Sequence, residues 1–406
     1  MKLRIDKLVA GGAGLARTES GVVLVEQVAA GDLVEVEVTQ TRPGYRRARL
    51  SRVVEPGPGR RDPPCPHAGV CGGCDWQHLT YDAQLDAKRA ILLESFRRIG
   101  RLEPPEPRLF RSPEWGYRRR VRLHARRSPD GRRQLGLSER RSRRIVEIGP
   151  CPVFTPALER SLPALRARLA EAGGGRRLDV LDTDQGVATG AGVLATGADG
   201  EAGFTPASSL SIGVGDDRLE VAPAAFFQAN QPLLPTLVAR VVELACRGEE
   251  LAGAGAAACD LYAGVGLFAV PLARRFERLA AVEQAPDSAR LLARNLAAAA
   301  RAEVVAGDVR DAVHRPPVAS LPRPVVVVDP PREGLDGRTR HGLLALRPRA
   351  LVYVSCDPAS MARDVGRLGD GGYTIRSLDL FDMFPQTHHV EAVARLEPDA
   401  GYAALL

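Results

Sequence analysis

Two residues toward the carboxyl end have the type and surroundings that do chemistry. Cys356 closes the run Val352-Tyr353-Val354-Ser355-Cys356-Asp357-Pro358, and a thiol at the end of a buried strand can act as a nucleophile once ionised. A free thiol with a pKa near ~8.5 is only a few per cent ionised at neutral pH, so it needs a cation or a helix amino end beside it. Arg332 is the candidate cation and Pro358 the candidate helix start. Glu391 opens the strand-like Ala392-Val393-Ala394-Arg395-Leu396, a place for a general base. His388 and His389, just before it, read as turn residues. Cys246 and Cys259 fall within apolar helix and strand patterns and read as buried small hydrophobes.

The other four cysteines form a second constellation. Cys65, Cys71 and Cys74 are separated by five and two residues in a Pro/Gly-rich loop, and Cys151 follows Gly149-Pro150. Four thiolates satisfy a tetrahedral zinc or an iron–sulfur cluster, and spacing does not separate the two. Seven cysteines is an odd count, better suited to ligands and nucleophiles in a reducing compartment than to disulfides.

These residues need a frame. From about residue 223, apolar strand candidates at 256–261, 278–283, 302–306, 324–329 and 350–355 alternate with helical stretches such as 287–300. The pattern predicts an α/β fold with a doubly wound parallel sheet, whose ligands lie beyond the carboxyl ends of the strands. Asp260-Leu261-Tyr262-Ala263-Gly264-Val265-Gly266 falls there. Glu283 ends the next strand, the position from which a carboxylate holds ribose hydroxyls. With Gly264, Gly266 and Ala269 the loop matches a dinucleotide fingerprint, which leaves S-adenosylmethionine, a nicotinamide cofactor and a structural turn all open. Asp308 follows the third strand candidate and suits an adenine amino group or a helix cap. Asp329-Pro330-Pro331-Arg332 follows four valines, an acid and rigid turn that recur in methyltransferases acting on bases.

Upstream, residues 1–55 read as short strands punctuated by glycines, a small barrel of the oligonucleotide-binding sort. Residues 56–222 form a central module, with a helix over 81–98 able to pack on the catalytic region and a strand-rich, irregular stretch over 115–220. The Ala/Gly run 252–258 reads as loop running into strand. Net charge is +7, but residues 111–144 alone carry thirteen Arg against three acids, so the rest of the chain is net negative. Within that window Arg118, Arg120, Arg122, His124 and Arg126 alternate with Val121, Leu123 and Ala125, placing a cationic stripe on one strand face. Arginine forks suit phosphates, which points to nucleic acid. No apolar run is long enough to span a membrane and no export signal opens the chain, so a cytoplasmic monomer is expected.

In their order along nearly the whole chain, these motifs resemble the RNA uracil-5-methyltransferase family, in particular its ribosomal RNA branch. Val9-Ala10-Gly11-Gly12-Ala13-Gly14-Leu15-Ala16-Arg17 resembles the start of its TRAM domain. The four cysteines resemble its four-iron site, and Phe226-Phe227-Gln228-Ala229-Asn230 the segment before its cofactor fold. The Asp-Pro-Pro-Arg, Ser-Cys-Asp-Pro and Gln-Thr…His-Val-Glu segments resemble its active site. The resemblance implies a Rossmann-like methyltransferase domain behind an OB-like TRAM barrel and a small iron–sulfur/β domain. It implies S-adenosylmethionine held by Gln228, Tyr262, Glu283, Asp308 and Asp329, a [4Fe-4S] cluster on Cys65, Cys71, Cys74 and Cys151, and catalysis by Cys356 and Glu391. Leu267 departs from the pattern, standing where members often have Asn, which removes one polar contact to the cofactor.

The implied chemistry agrees with the residues. Carbon 5 of uracil is too weak a nucleophile to take a methyl group unaided. Thiolate attack at carbon 6 activates it, and a base then removes the remaining proton so that the thiol can leave. The base must leave its stack, at a few kcal/mol that phosphate contacts offset. The cluster is expected to be structural or to dock RNA. Large-subunit ribosomal RNA is the expected substrate, since the transfer RNA branch usually lacks barrel and cluster. An amino-group methyltransferase would want an aromatic residue at 332. A non-catalytic iron–sulfur RNA-binding protein leaves Cys356 and Glu391 unexplained, and a dehydrogenase has no use for four cysteines and a basic stripe.

Overall fold

Apolar alternation at the amino end builds one six-stranded sheet. Its strands run Lys2–Arg4, Leu33–Arg42, Tyr45–Glu55, Gly21–Val25, Gly14–Thr18 and Lys7–Leu8 in spatial order. The inward residues Ala16, Val23, Val25, Val34 and Val36 pack into its core. The computed structural model describes residues 1–127, 133–171, 177–190, 192–196, 202–205, 209–248 and 253–399. Among these, no helix is long and apolar enough to cross a membrane.

The central stretch is an antiparallel seven-stranded sheet in which Arg120–Arg127 pairs with Arg133–Ser138 on one side and Arg177–Thr183 on the other. It is not purely strands. Pro156–Glu171 is a helix whose Leu158, Leu162 and Leu165, at i, i+4 and i+7, are buried against Tyr117, Val121 and Leu123. Pro163 within that helix masks the helical period in the sequence, because proline ordinarily ends a helix.

The carboxyl region is an eight-stranded sheet in the order Ala302–Ala306, Phe276–Glu283, Gly253–Leu261, Val325–Val328, Ala350–Ser355, Glu391–Pro398, Tyr373–Phe381 and Arg108–Phe110. The first five are parallel; Val325–Val328 and Ala350–Ser355 are buried on both faces, while Ala302–Ala306 at the edge is partly exposed. The expected all-parallel sheet is corrected at its far side, where Glu391–Pro398 runs antiparallel to both of its neighbours. Arg108–Phe110 adds a strand from far upstream. The Ala/Gly run is strand from Gly253 onward. Its small residues let helices approach both faces of the sheet. Helix Tyr81–Ser95, continued by a π-turn over Phe96–Gly100, lays Leu92 and Phe96 against Met361 and Val365 of helix Pro358–Asp370.

After Ala302–Ala306 at one edge, the chain crosses back to lay Val325–Val328 beside Gly253–Leu261. Strand order therefore reverses between these two strands, and the crevice beyond their carboxyl ends is where such sheets bind ligands.

Candidate active site

The antiparallel turn of the sheet is what brings the thiol and the carboxylate together. Ser355 pairs with Ala392, so Cys356 and Glu391, each one residue further out, lie side by side at the same end of adjacent strands. Glu391 is 1% exposed, and its Oε1 has no hydrogen-bond partner. Burial, reinforced by the nearby Asp329 carboxylate, raises its pKa well above the usual range. Cys356 follows suit. Burial first, then the charge of Glu391, pushes its thiol up to about 11, while Arg332 pulls the other way. Asp357 caps the helix that starts at Pro358 by accepting from the Ser360 amide at 2.7 Å. The cation and the helix end foreseen for the thiol are thus both present, yet burial outweighs them, and the resting group is a neutral thiol.

Arg332 Nη2 is 3.4 Å from His389 Nδ1. Burial pushes His389 down to about 3, so its ring is neutral and that nitrogen accepts. A cleft of about 850 Å³ opens over this group, lined by Cys356, Arg332 and His389 from the sheet and by Arg118, Arg122 and His124 from the central module. Val121 and Leu123 are buried while Arg122 is exposed, as the strand alternation requires. Arg122 pairs with Asp179 at 2.7 Å. Arg120 lies over the ring of Phe226 at 5.8 Å, and Phe226 is one of the few large apolar side chains left exposed. The side chain of Arg126 lies outside the described residues.

The ligand crevice is built from backbone freedom and buried acids. Tyr262, Gly264 and Gly266 have φ of +65°, +58° and +101°. A Cβ at Gly264 would meet nothing within 4 Å, whereas at Gly266 it would sit 3.0 Å from Leu292. Gly264 therefore borders open space and Gly266 a packed helix. Glu283 accepts from the Gly264 amide at 2.8 Å and the Ala285 amide at 2.7 Å, which fixes its carboxylate at the rim. Asp260 is fully buried and neither carboxylate oxygen finds a well-formed hydrogen bond. Burial, with repulsion from Asp329 and Glu283, raises its pKa strongly. Asp329, next to the end of its strand, is raised too by burial. Asp308 caps a short helix through the Arg310 amide and pairs with the Arg310 guanidinium at 2.6 Å. Gln228 is buried in the segment whose Ala229 carbonyl accepts from the Arg119 amide. Leu267 packs on the apolar core and offers no polar contact.

Cys65, Cys71, Cys74 and Cys151 line one small cavity with Arg118, and all are free thiols. Burial pushes Cys74 up to about 11 and Cys151 up to about 12, and Arg118 is the cation that opposes this at both. Arg118 thus faces the thiols as well as the cleft. Among the described residues no group of three or more Cys, His, Asp or Glu side chains is arranged to hold a metal ion.

A family model described as tRNA (Uracil-5-)-methyltransferase matches residues 319–398, and one described as TRAM domain matches residues 2–51. The chain is 33% identical to the 23S rRNA (uracil(1939)-C(5))-methyltransferase RlmD of Azoarcus sp. (strain BH72), over 97% of this chain and 98% of that one. The chain belongs to the RNA uracil-5-methyltransferase family. Another family member of the same name, from Salmonella paratyphi A, is 32% identical over 97% of this chain and 95% of its own. Among solved structures, the Pyrococcus abyssi tRNA (uracil-54, C5)-methyltransferase in complex with S-adenosyl-L-homocysteine superposes with a TM-score of 0.73, at 27% identity, covering 98% of this chain and 100% of that one.

Several further residues stand around this family's site. Lys88 and Asp382, both fully buried, pair at 2.5 Å. Lys88 shares a helical face with Tyr81, Leu85 and Leu92, and a lysine on an apolar face is the cue that marks it. Asp75 touches the same loop without such a cue, and Gln386 and Gly12 fall within the Gln-Thr…His-Val-Glu and barrel-start motifs, which give them no role of their own.

Proposed function

We propose that this chain transfers a methyl group from S-adenosylmethionine to carbon 5 of a uridine in 23S ribosomal RNA, in the cytoplasm, with Cys356 as nucleophile and Glu391 as general base. The observation that carries the reading is the Ser355–Ala392 pairing, which sets thiol and buried carboxyl beside one another at the mouth of the cofactor crevice.

Gln228, Tyr262, Gly264, Gly266, Glu283, Asp308 and Asp329 would hold S-adenosylmethionine, whose sulfonium supplies an electrophilic methyl group. Open space over Gly264 and the fixed rim carboxylate of Glu283 support that placement. Arg118, Arg120, Arg122 and Arg126 would engage phosphates, and the cleft shared by Arg118, Arg122 and Cys356 gives a flipped base a route to the thiol. Cys356 Sγ attacks carbon 6, carbon 5 takes the methyl, and Glu391 removes the carbon 5 proton. The electrons of that C–H bond restore the ring double bond as the C–S bond breaks and its pair returns to sulfur.

Cys65, Cys71, Cys74 and Cys151 would hold a [4Fe-4S] cluster. Four free thiols around one cavity form the donor set. Iron and sulfide at about four each per chain would support the cluster; one zinc would refute it. Transfer RNA is the alternative favoured by likeness to the Pyrococcus abyssi protein. Mapping 5-methyluridine in total RNA with and without this protein decides between them, and its absence from both RNAs would refute the reading.

A further inference from the structure

Glu391 is preceded by a loop, Asp382 to Val390, that other parts of the molecule hold from several directions. Lys88 binds the Asp382 carboxylate and donates to the Phe384 carbonyl at 3.0 Å. Tyr117 Oη donates to the Pro385 carbonyl at 2.9 Å. At the centre sits Gln386, fully buried and with φ +68°. Its carbonyl accepts from two consecutive amides, Asp75 and Trp76, at 2.9 Å each. Its Oε1 accepts from Gln84 and Arg61 at 3.0 Å, its Nε2 donates to Glu114 at 3.2 Å, and its own amide donates to Gln84 Oε1 at 2.8 Å. Asp75 also meets His388 at 2.5 Å. From the amino-terminal sheet region, Gly12 accepts from Trp76 Nε1 at 3.0 Å, and a Cβ at Gly12 would stand 3.1 Å from the His388 ring.

Asp75 and Trp76 directly follow Cys74, and Gln386 lies five residues before Glu391. A left-handed, fully buried residue making at least six hydrogen bonds is over-determined by its surroundings, and a satisfied buried network of this kind is rigid. We propose that Gln386 is a positioning residue that ties the four-cysteine segment to the general base. A group held by Cys65, Cys71, Cys74 and Cys151 then acts on methyl transfer by fixing where Glu391 stands, not by moving electrons. This rests on the assignment of Cys356 and Glu391 above.

The two half-reactions separate the possibilities. RNA carrying 5-fluorouridine needs attack and methylation but has no proton at carbon 5 to lose, so it traps the protein without Glu391. Ordinary RNA needs the proton removed. In the full-length Gln386→Ala protein, alanine meets the same φ as glutamine at similar strain, so the side-chain bonds are what is lost. Trapping is expected to stay within about threefold of wild type while turnover falls about tenfold to a hundredfold, the range general-base placement commands. Methylated RNA should then accumulate bound to Cys356. Equal loss in both assays, or loss in neither, overturns the proposal. Gln84→Met, which removes two of the bonds to Gln386 from the other side, should show the same split to a lesser degree, and decides the matter if Gln386→Ala does not fold. Loss of the side-chain bonds leaves the Gln386 carbonyl free to shift from the Asp75 and Trp76 amides, so by reciprocity a chelator should strip iron from Gln386→Ala several-fold faster than from wild type; equal rates would overturn the link to the cysteines. Failure of wild type itself to be trapped would instead sink the catalytic assignment, and the positioning role with it.

Discussion

Replacing Arg332 by glutamine removes the positive charge facing Cys356 and keeps a polar side chain. Burial, Glu391 and Asp329 push the thiol up to about 11, and Arg332 is the group that resists them. At about pH 7.5 a thiol of that pKa is ionised to roughly three parts in ten thousand, against roughly one part in ten for a free cysteine. Arg332 is itself exposed, so water and salt screen it, and its loss is worth about one pKa unit rather than several. One unit lowers the thiolate fraction about tenfold. The thiolate that remains is more nucleophilic, by a Brønsted factor of about 0.4–0.5, so the net rate falls roughly threefold to fourfold. The assay is formation of a mixed disulfide at Cys356 with a small disulfide reagent, followed by peptide mass and run without RNA, so that loss of an RNA contact does not enter. Arg332→Lys should recover part of the rate, since it keeps the charge but not the fork. An unchanged or faster rate in Arg332→Gln would refute this account of how the nucleophile is ionised.

Glu391→Gln should abolish turnover yet raise the melting temperature. A buried carboxyl whose folded pKa is raised stabilises the fold below its unfolded pKa and loses that contribution as pH rises. The variant's gain of about 1–3 kcal/mol, a few degrees, should therefore appear near neutral pH and shrink toward pH 5; scans at both pH values giving no such difference would count against it. Gly264→Ala should fold with a loss of about 1 kcal/mol for the left-handed φ, while its methyl group enters the open crevice and weakens S-adenosylmethionine by about tenfold or more in calorimetry. Lys88→Met strands a buried Asp382 and should cost about 3–5 kcal/mol in denaturant titration, most of it recovered on also replacing Asp382 by Leu. Arg122→Gln should flatten the slope of log affinity for RNA against log salt by about 0.7–0.9 if one phosphate contact is lost, and an unchanged slope would remove Arg122 from the RNA surface.

Parallel strands buried on both faces announce themselves as unbroken apolar runs, as Ala350–Ser355 does, and that strand and the partly exposed edge strand Ala302–Ala306 begin and end where their sequence predicts. Helix Pro156–Glu171 was hidden by Pro163, which breaks the period a reader relies on. Arg108–Phe110 could not be found at all. Three residues carry no pattern, and its partner strand begins at Tyr373, so only the folded chain defines it. The same division runs through the site. Cys356 and Glu391 each sit at the end of a legible strand, but their adjacency depends on the antiparallel return of Glu391–Pro398, which no local signal encodes. Asp75 and Gln386 are farther from view still, because what makes them matter is a backbone carbonyl meeting two amides from 310 residues away.

That adjacency also orders the proposed reaction. Cys356, Glu391 and Asp329 are three acids around one crevice, and each charge disfavours the next. Arg332 balances about one negative charge, so thiolate and carboxylate do not comfortably coexist. Attack on carbon 6 carries the sulfur's charge out onto the uracil ring, and only then is the ionised form of Glu391 relieved of its neighbour. Proton removal from carbon 5 in turn leaves Glu391 neutral before the departing sulfur regains its charge. Repulsion that raises both groups at rest therefore favours their acting in succession, and a pair held farther apart would lose that ordering even with both residues intact.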